Sequence, residues 1–297
     1  MAENNEKDTW TKVDKFFGRK LTDSTLAPYV ISDALRPAID ELDLWQNVWD
    51  LRDQGYTVIK DAASPELLDE LREVIHTIAQ ATEGRGKGVA ASMLLGRHPV
   101  VDQVATLPKL LGVAEASVGK GFRAGQFIGT IKREGDPALG LHADQNWMPA
   151  PFPEHNCLLT FCIPCEGMTA EGGATTVVPG SQKLRRHPTE EEIADPELVP
   201  IEVEKGSVAV WDGSVWHASA RRSIPGERTV LHATYQRLYT QPIEDYSHLL
   251  DDADYANNAS PEMLSLLGAD LFFGTATAAS GGTNMEKFLI SSNMSRI

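Results

Sequence analysis

The feature that most constrains the fold is a series of short β-rich runs between Phe122 and Leu238. β-Branched and aromatic residues recur within each run, and Gly or Pro separates one run from the next. Parallel βαβ units would need a helical pattern between successive strands, and the sequence shows none there. The spacing therefore predicts antiparallel sheets in a sandwich or barrel. The runs are FRAGQFIGTIKR (122–133), CLLTFCIP (157–164), ATTVVPG (174–180), PIEVEKGSVAVWDG (200–213) and RTVLHATYQRL (228–238).

Capped helices are predicted on either side of these runs. Ser64 is suited to an N-cap and Pro65 to the first helical position, and apolar residues then recur at steps of three and four as far as Ile78. A second capped helix is predicted over 260–268. The glycines of 84–88 do not have the order of a phosphate-binding loop, so we interpret this segment as a flexible loop, with a mobile lid as the alternative.

Bulk properties limit the partners and the number of domains. The net charge of −15 among 297 residues argues against nucleic-acid and anionic-membrane surfaces, which require clustered cations. The first twenty residues contain no apolar signal core, so we expect a cytoplasmic protein. We expect a small-molecule substrate, no nucleic-acid or membrane partner, and leave a homodimer open. No linker marks a boundary, and we predict one domain over 1–297, with an N-terminal extension (1–40), a core (about 41–245) and a C-terminal helical or loop region (246–297).

The three cysteines lie within nine positions and include the spacing C-x-x-C. Cys157, Cys162 and Cys165 could, with His155, hold a structural zinc ion. Side chains of a strand alternate between faces, however, so Cys162 points away from both other cysteines. We therefore favour reduced cysteines that pack as small apolar groups.

The stretch LGLHADQNW (139–147) places His142 and Asp144 one residue apart. With eight histidines and 42 acidic residues, about one His-x-acid triplet is expected by chance. In an extended segment both side chains project from the same face and can bind one ion at adjacent positions. The triplet alone is weak support for a metal site, and a third ligand is required.

Residues farther along the chain supply that ligand and a candidate anion-binding group. His217 follows a β-branched strand and a Gly turn, and two histidines with one carboxylate form the ligand set of non-haem iron(II) oxygenases, which leaves coordination positions open. Arg228 begins the last β-rich run, where its planar guanidinium could bind a dicarboxylate through two hydrogen bonds. Arg221 and Arg222 rank below it because they precede the turn.

In this order, His142-x-Asp144, His217, Ser219 and Arg228 resemble the phytanoyl-CoA dioxygenase family of iron(II)- and 2-oxoglutarate-dependent oxygenases. The segments GGATTVVPGS (172–181) and KGSVAVWDG (205–213) are similar to that family's segments between its metal ligands. The resemblance covers about residues 40–240. This family often has Gln between the first two ligands, where this chain has Ala143.

The resemblance implies a mainly β fold with flanking helices, built on a double-stranded β-helix (jelly-roll, cupin-like) core. It implies His142, Asp144 and His217 as catalytic iron(II) ligands. It further implies that Arg228 binds the distal carboxylate of 2-oxoglutarate with help from Ser219, and that Thr175 is a further cosubstrate contact. It also implies O2 as the second cosubstrate and release of succinate and CO2. Relatives include natural-product oxygenases.

Other residues have weaker assignments. Gln145, Asn146 and Trp147 follow the first two ligands and are candidate substrate contacts, with a loop that packs its own indole as the alternative. His232 shares the parity of Arg228 along its strand, and we favour a hydrogen-bonded structural role for it, with a position in the same cavity as Arg228 as the alternative. Lys132 and Arg133 are interpreted as solvated charges at a strand end, with contact to an anionic substrate as the alternative.

Three alternative functions remain open. The most direct prediction is hydroxylation of an unactivated C–H bond in a small metabolite, such as a natural-product intermediate. The alternatives are hydroxylation of an acyl-CoA, a catalytically silent cupin-like metal-binding protein, and a zinc hydrolase that uses the same ligands.

Overall fold

Two antiparallel sheets form the centre of the protein. The computed structural model describes residues 27–145 and 147–269. Within them the strands are β1 (Tyr56–Ile59), β2 (Ala90–Ala91), β3 (Arg123–Arg133), β4 (Leu139–His142), β5 (Leu158–Pro164), β6 (Thr175–Val177), β7 (Val199–Pro200), β8 (Val208–Asp212), β9 (His217–Ser219) and β10 (Glu227–Gln236). The large sheet has the order β1-β8-β5-β10-β3-β2, and the small sheet has the order β4-β9-β6-β7. This is the predicted jelly-roll architecture.

Helices cover the outer face of the large sheet, except for Glu190–Ala194, which has no buried residue. They are α1 (Arg36–Glu41), α2 (Trp45–Gln54), α3 (Pro65–Ala81), α4 (Pro99–Ala105), α5 (Pro108–Val118), α6 (Glu190–Ala194), α7 (His248–Asp251), α8 (Ala253–Asn258) and α9 (Pro261–Leu267), with short 3₁₀ turns at Gly84–Gly86 and Ser181–Leu184. The main core lies between this face and the helices, where Phe127 and Phe161 pack edge-on against Tyr235. The buried Tyr235 hydroxyl donates to the carbonyl of Ala105 at 2.6 Å, which joins β10 to α4.

The inner face of the large sheet is turned toward the small sheet. Alternate residues of a strand share a face, so Val230 and Trp211 lie inside while Leu231 and Val210 pack under the helices. A second, smaller core fills part of the space between the sheets and includes Val177 of β6. The remaining polar inner-face residues border the candidate site.

The described part of the predicted N-terminal extension packs on the core. Ile31, Leu35 and Ile39 are buried in the main core. The hydroxyl of Tyr29 donates to the buried carboxylate of Asp212 at 2.6 Å, at the end of β8. Residues 1–26 and 270–297 lie outside the described residues, so the single-domain boundaries stay a prediction.

The local predictions agree with the structure at several points. Ser64 caps α3 by accepting a hydrogen bond from the Leu67 amide at 3.2 Å, and Ser260 caps α9 in the same way through Met263. The three cysteines are free and buried, as the alternation argument predicted.

None of the described helices combines the length and apolar character needed to cross a bilayer. The sequence pattern missed the short helix α6, which lies between two β-rich runs.

Candidate active site

Three side chains from the small sheet and its loops form the candidate metal centre. One potential ligand atom each of His142, Asp144 and His217 lies within 4.8 Å of the others. The Oδ1 atom of Asp144 is 3.7 Å from His142 Nε2 and 3.4 Å from His217 Nε2. Among the residues that the structure describes, this is the one cluster of three or more His, Cys, Asp or Glu side chains that could hold an ion.

Strand pairing brings the two histidines together. His142 of β4 lies directly opposite His217 of β9 in the antiparallel register, so their side chains share a face, and their ring centroids are 4.3 Å apart. The register between Leu139 and His142 is irregular. The pairing of these two short strands thus brings together two histidines that are 75 residues apart in the sequence.

Asp144 reaches the centre in a different way from the one predicted. The prediction placed His142 and Asp144 on one extended strand, whereas β4 ends at His142 and Asp144 lies in the bend that follows. Its position is fixed by side chains of the large sheet instead. The Oδ2 atom accepts hydrogen bonds from Thr160 Oγ1 at 2.7 Å and from Trp211 Nε1 at 2.9 Å. These bonds leave Oδ1 directed at the two histidines.

The backbone selects the tautomer of both histidines. His142 Nδ1 lies 2.8 Å from the carbonyl of Gly140, and His217 Nδ1 lies 3.2 Å from the carbonyl of Val215. A carbonyl only accepts hydrogen bonds, so each Nδ1 carries the proton and each neutral ring presents the lone pair of Nε2. This is the orientation that a metal ligand requires.

The pKa values of His142, Asp144 and His217 depend on one another. Burial raises the pKa of Asp144, but the neighbouring His217 and the hydrogen bonds from Thr160 and Trp211 outweigh it and hold that pKa well below its usual range. Burial and the proximity of His217 lower the pKa of His142. Burial opposes protonation of His217, yet the charge of Asp144 raises the pKa of that imidazole. The carboxylate is therefore ionised at neutral pH, as metal binding requires.

A second polar group lies deeper between the sheets. Arg228 is buried on β10 and donates from Nη1 to the carbonyl of Gly173 at 2.5 Å, while its Nε has no hydrogen-bond partner. Lys132 lies opposite Arg228 in the register of β3 and β10, so the two cationic side chains share the inner face. Burial and the charge of Arg228 lower the pKa of Lys132. Two cations this close indicate a binding site for an anion.

Ser219 and Thr175 border this group. They lie directly opposite each other in β9 and β6, and His217 is two residues from Ser219, so all three share the inner face. Ser219 Oγ accepts a hydrogen bond from Lys132 Nζ at 2.7 Å. Thr175 contacts the buried thiol of Cys162. The neighbouring Thr176 points to the opposite face.

The residues after Asp144 are placed less uniformly. Gln145 is buried and donates from Nε2 to Ser214 Oγ, whereas its Oε1 has no partner among the described residues. Trp147 is 69% exposed and does not pack its indole. Asn146 lies outside the described residues. A substrate role for these three residues stays a prediction.

Three functional candidates were missed or underrated by the sequence. Thr160 and Trp211 hold Asp144, but they lie on β-rich runs where Thr and Trp are ordinary core residues. Lys132 was interpreted as a solvated strand-end charge. It is half-buried, and also donates to the carbonyl of Ala220 at 2.5 Å. Its role is indicated by its position opposite Arg228, which is 96 residues away in the sequence. Only the strand register reveals this position.

Comparison with known proteins identifies related sequences. The sequence profile of the phytanoyl-CoA dioxygenase (PhyH) family matches residues 51–230. Dioxygenase af480 of Aspergillus fumigatus is 27% identical over 263 residues, which cover 82% of each chain. Dioxygenase aneA of Aspergillus aculeatus is 30% identical over 120 residues, which cover 39% of this chain and 40% of that protein.

Solved structures share the fold. HygX of Streptomyces hygroscopicus, determined with nickel and 2-oxoglutarate bound, has a TM-score of 0.57 at 16% identity, covering 67% of this chain and 88% of that chain. EctD of S. alaskensis has a TM-score of 0.57 at 20% identity, covering 74% and 81%. The epimerase SnoN from nogalamycin biosynthesis has a TM-score of 0.55 at 18% identity, covering 68% and 84%.

Proposed function

Because the chain belongs to the phytanoyl-CoA dioxygenase family, an iron(II)- and 2-oxoglutarate-dependent dioxygenase family, we propose that it oxidises an unactivated C–H bond of a small organic metabolite. The expected outcome is hydroxylation, with release of succinate and CO2. His142, Asp144 and His217 are the proposed iron ligands. Arg228, Ser219 and Thr175 are the proposed 2-oxoglutarate contacts, and Lys132 joins them.

One observation carries the proposal: a ligand set that fits iron(II) and a buried cation with an unused donor both lie between the two sheets. Two imidazoles and one ionised carboxylate converge, and they leave open positions for further ligands. Arg228 Nε is buried without a partner. An unpaired buried donor of a cation is costly unless something binds it, and the distal carboxylate of 2-oxoglutarate supplies the complementary charge.

Each protein group has a distinct part in this activity. Bound iron supplies the redox chemistry that couples O2 and 2-oxoglutarate to oxidation of the substrate. Thr160 and Trp211 keep Asp144 oriented before the metal arrives, so binding costs little rearrangement. Arg228 and Lys132 select a dianionic cosubstrate and fix its direction. The apolar layers on both sides exclude water from the cavity.

The primary substrate is proposed at the level of chemical class. The match to a fungal dioxygenase over 82% of the chain favours a secondary metabolite. The net charge of −15 disfavours the multiple phosphates of an acyl-CoA. We therefore propose an apolar or amphipathic metabolite, such as a terpenoid or alkaloid intermediate, acted on without a nucleic-acid or membrane partner. Cytoplasmic location and a homodimer stay predictions.

The test follows succinate formation from 2-oxoglutarate in the presence of iron(II), ascorbate and air. The substrate panel contains terpenoid and alkaloid intermediates together with acyl-CoA thioesters. We expect succinate to form in step with an oxidised product for one member. With isotopically labelled O2, one oxygen atom is expected in succinate and, for hydroxylation, the other in the product.

The controls separate the alternative functions. Asp144→Ala removes a proposed ligand, and Asp33→Ala removes a fully exposed carboxylate outside the proposed ligand set. Wild-type activity no higher than that of Asp144→Ala across the whole panel, with iron still bound, would indicate a silent metal-binding protein. Zinc in the purified protein together with O2-independent turnover would indicate a hydrolase.

A further inference from the structure

His232 is a polar residue of the cavity that the proposed site leaves unused. It lies on the inner face of β10, four residues after Arg228, and its side chain is part-buried. Its ring contacts Trp211 edge-on, with 6.3 Å between centroids. Among the described residues it has no hydrogen-bond partner, so the hydrogen-bonded structural role that we favoured from the sequence gains no support there.

Strand register places His232 between the two ends of the site. Thr234 is paired with Thr160, and Thr160 with Trp211, so the side chains that hold Asp144 lie in one row across the sheet. The next inner-face row contains His232, paired with Cys162 on one side. Arg228 lies two rows farther along the same face.

The electrostatics agree with this intermediate position. Burial, followed by the charge of Arg228, lowers the pKa of His232 to about 4. The charge of Asp144 acts to raise this pKa, and that of His217 acts to lower it. Its nearest cross-strand neighbour is uncharged too, because burial raises the pKa of the Cys162 thiol to about 11. The row is therefore neutral at assay pH, and His232 presents one N–H donor.

From this arrangement we propose that His232 is a cosubstrate-binding residue that donates a hydrogen bond to the C1 carboxylate of 2-oxoglutarate. A molecule that extends from the metal centre to Arg228 must cross the His232 row. The methylene groups of 2-oxoglutarate contain no hydrogen-bond acceptor, and we assign its distal carboxylate to Arg228 and Lys132. The donors beside the metal, Thr160 and Trp211, are bonded to Asp144. His232 is a donor of the next row toward Arg228, and no hydrogen bond among the described residues occupies it.

The inference rests on the proposed function and is tested by binding rather than turnover. The anaerobic iron(II) protein is titrated with 2-oxoglutarate, and the visible charge-transfer absorption of the iron(II)–2-oxo acid chelate is recorded. The titration is repeated with pyruvate, which has the same 2-oxo acid group but no distal carboxylate. Arg228 contributes nothing to pyruvate binding, whereas His232 contributes to both.

The variants are His232→Leu, which removes the donor, and His232→Gln, which retains an N–H. His248→Leu removes an exposed histidine of α7 and serves as the matched control. We expect His232→Leu to raise the Kd of both 2-oxo acids about 10- to 100-fold and to shift the absorption maximum. His232→Gln should recover most of the affinity, and His248→Leu should match wild type. If the leucine variant does not fold, His232→Phe makes the same comparison with a planar ring.

Three results would overturn the inference. One is an unchanged Kd for both probes in His232→Leu. Another is weaker binding of 2-oxoglutarate with unchanged binding of pyruvate, because the effect would then lie at the distal end. The third is a glutamine variant as weak as leucine. If wild type itself gives no absorption change with 2-oxoglutarate, the proposed function fails first, and this inference fails with it.

Discussion

The metal end and the anion-binding end of the cavity are built in opposite ways. At the metal end, each ligand is already oriented by a partner: Gly140 and Val215 hold the two histidines, and the Asp144 carboxylate is bonded on its far oxygen. At the other end, Arg228 has a buried donor without a partner, and its charge disfavours protonation of Lys132.

The difference shows which end depends on its ligand for stability. Hydrogen bonds satisfy the metal end before any ion binds, so its geometry is preorganised. Two like charges held close together in a buried place repel one another, and an anion relieves that repulsion. We therefore expect the metal end to determine the geometry of the site and the anion end to determine which cosubstrate binds.

The largest effect is expected from removing a ligand of the metal end. Asp144→Ala deletes the single carboxylate of the cluster and leaves two neutral imidazoles. We expect loss of tight iron binding and of succinate formation, measured by metal analysis and by turnover. Iron retained at wild-type affinity in Asp144→Ala, with Asp33→Ala as the control, would contradict the assignment.

The next largest effect is expected at the anion end. Arg228→Leu removes a buried cation that we propose to pair with a carboxylate, which typically costs about 2–5 kcal/mol, or roughly 30-fold to a few thousandfold in the Kd of 2-oxoglutarate. Iron affinity should be unchanged, since the metal end is satisfied independently. Arg221→Leu, in the preceding loop, is the control. Equal losses of iron and 2-oxoglutarate affinity in Arg228→Leu would remove the distinction between the two ends.

Smaller effects are expected from the residues that orient Asp144. Trp211→Phe keeps the ring but deletes the N–H that bonds Asp144, and we expect iron affinity to fall about 10- to 100-fold. Thr160→Val tests the other bond with little change of volume. Trp49→Phe changes a tryptophan that is 45% exposed and should have no effect. Unchanged iron affinity in both Trp211→Phe and Thr160→Val would show that Asp144 needs no support.

The smallest effect is expected from Lys132, and it depends on pH. Burial and Arg228 lower the pKa of this amine, so it loses its proton at lower pH than an ordinary lysine. Binding of 2-oxoglutarate should be strongest below that lowered pKa and weaken as the pH rises through it. Lys132→Met should raise the Kd about tenfold at neutral pH and remove this alkaline decline. A wild-type alkaline decline that persists unchanged in Lys132→Met would exclude the amine as its source.

The sequence predicted well the structural features that depend on neighbouring residues, and the candidate residues that belong to a family's ordered motif. The β-rich runs predicted antiparallel sheets because strand propensity and turn residues are local signals. The caps at Ser64 and Ser260 were predictable for the same reason. The candidate cluster was found because His142, Asp144 and His217 match a family's ordered motif.

Contacts that depend on register could not be predicted. The partners of Asp144 lie on β5 and β8, and nothing near Asp144 in sequence indicates Thr160 or Trp211. Lys132 looked solvated because its strand ends in charges, and its position opposite Arg228 depends on the pairing of β3 with β10. A one-residue shift in that pairing would turn the amine away from the cavity.

The most direct test of the account is a crystal structure of the anaerobic complex with iron(II) and 2-oxoglutarate, with the metal located by its anomalous scattering. We predict one iron ion bound by His142 Nε2, Asp144 Oδ1 and His217 Nε2. We predict that 2-oxoglutarate completes the coordination and that its distal carboxylate contacts Arg228. Iron bound by other residues, or 2-oxoglutarate bound away from Arg228, would contradict the central claim that the two ends form one site.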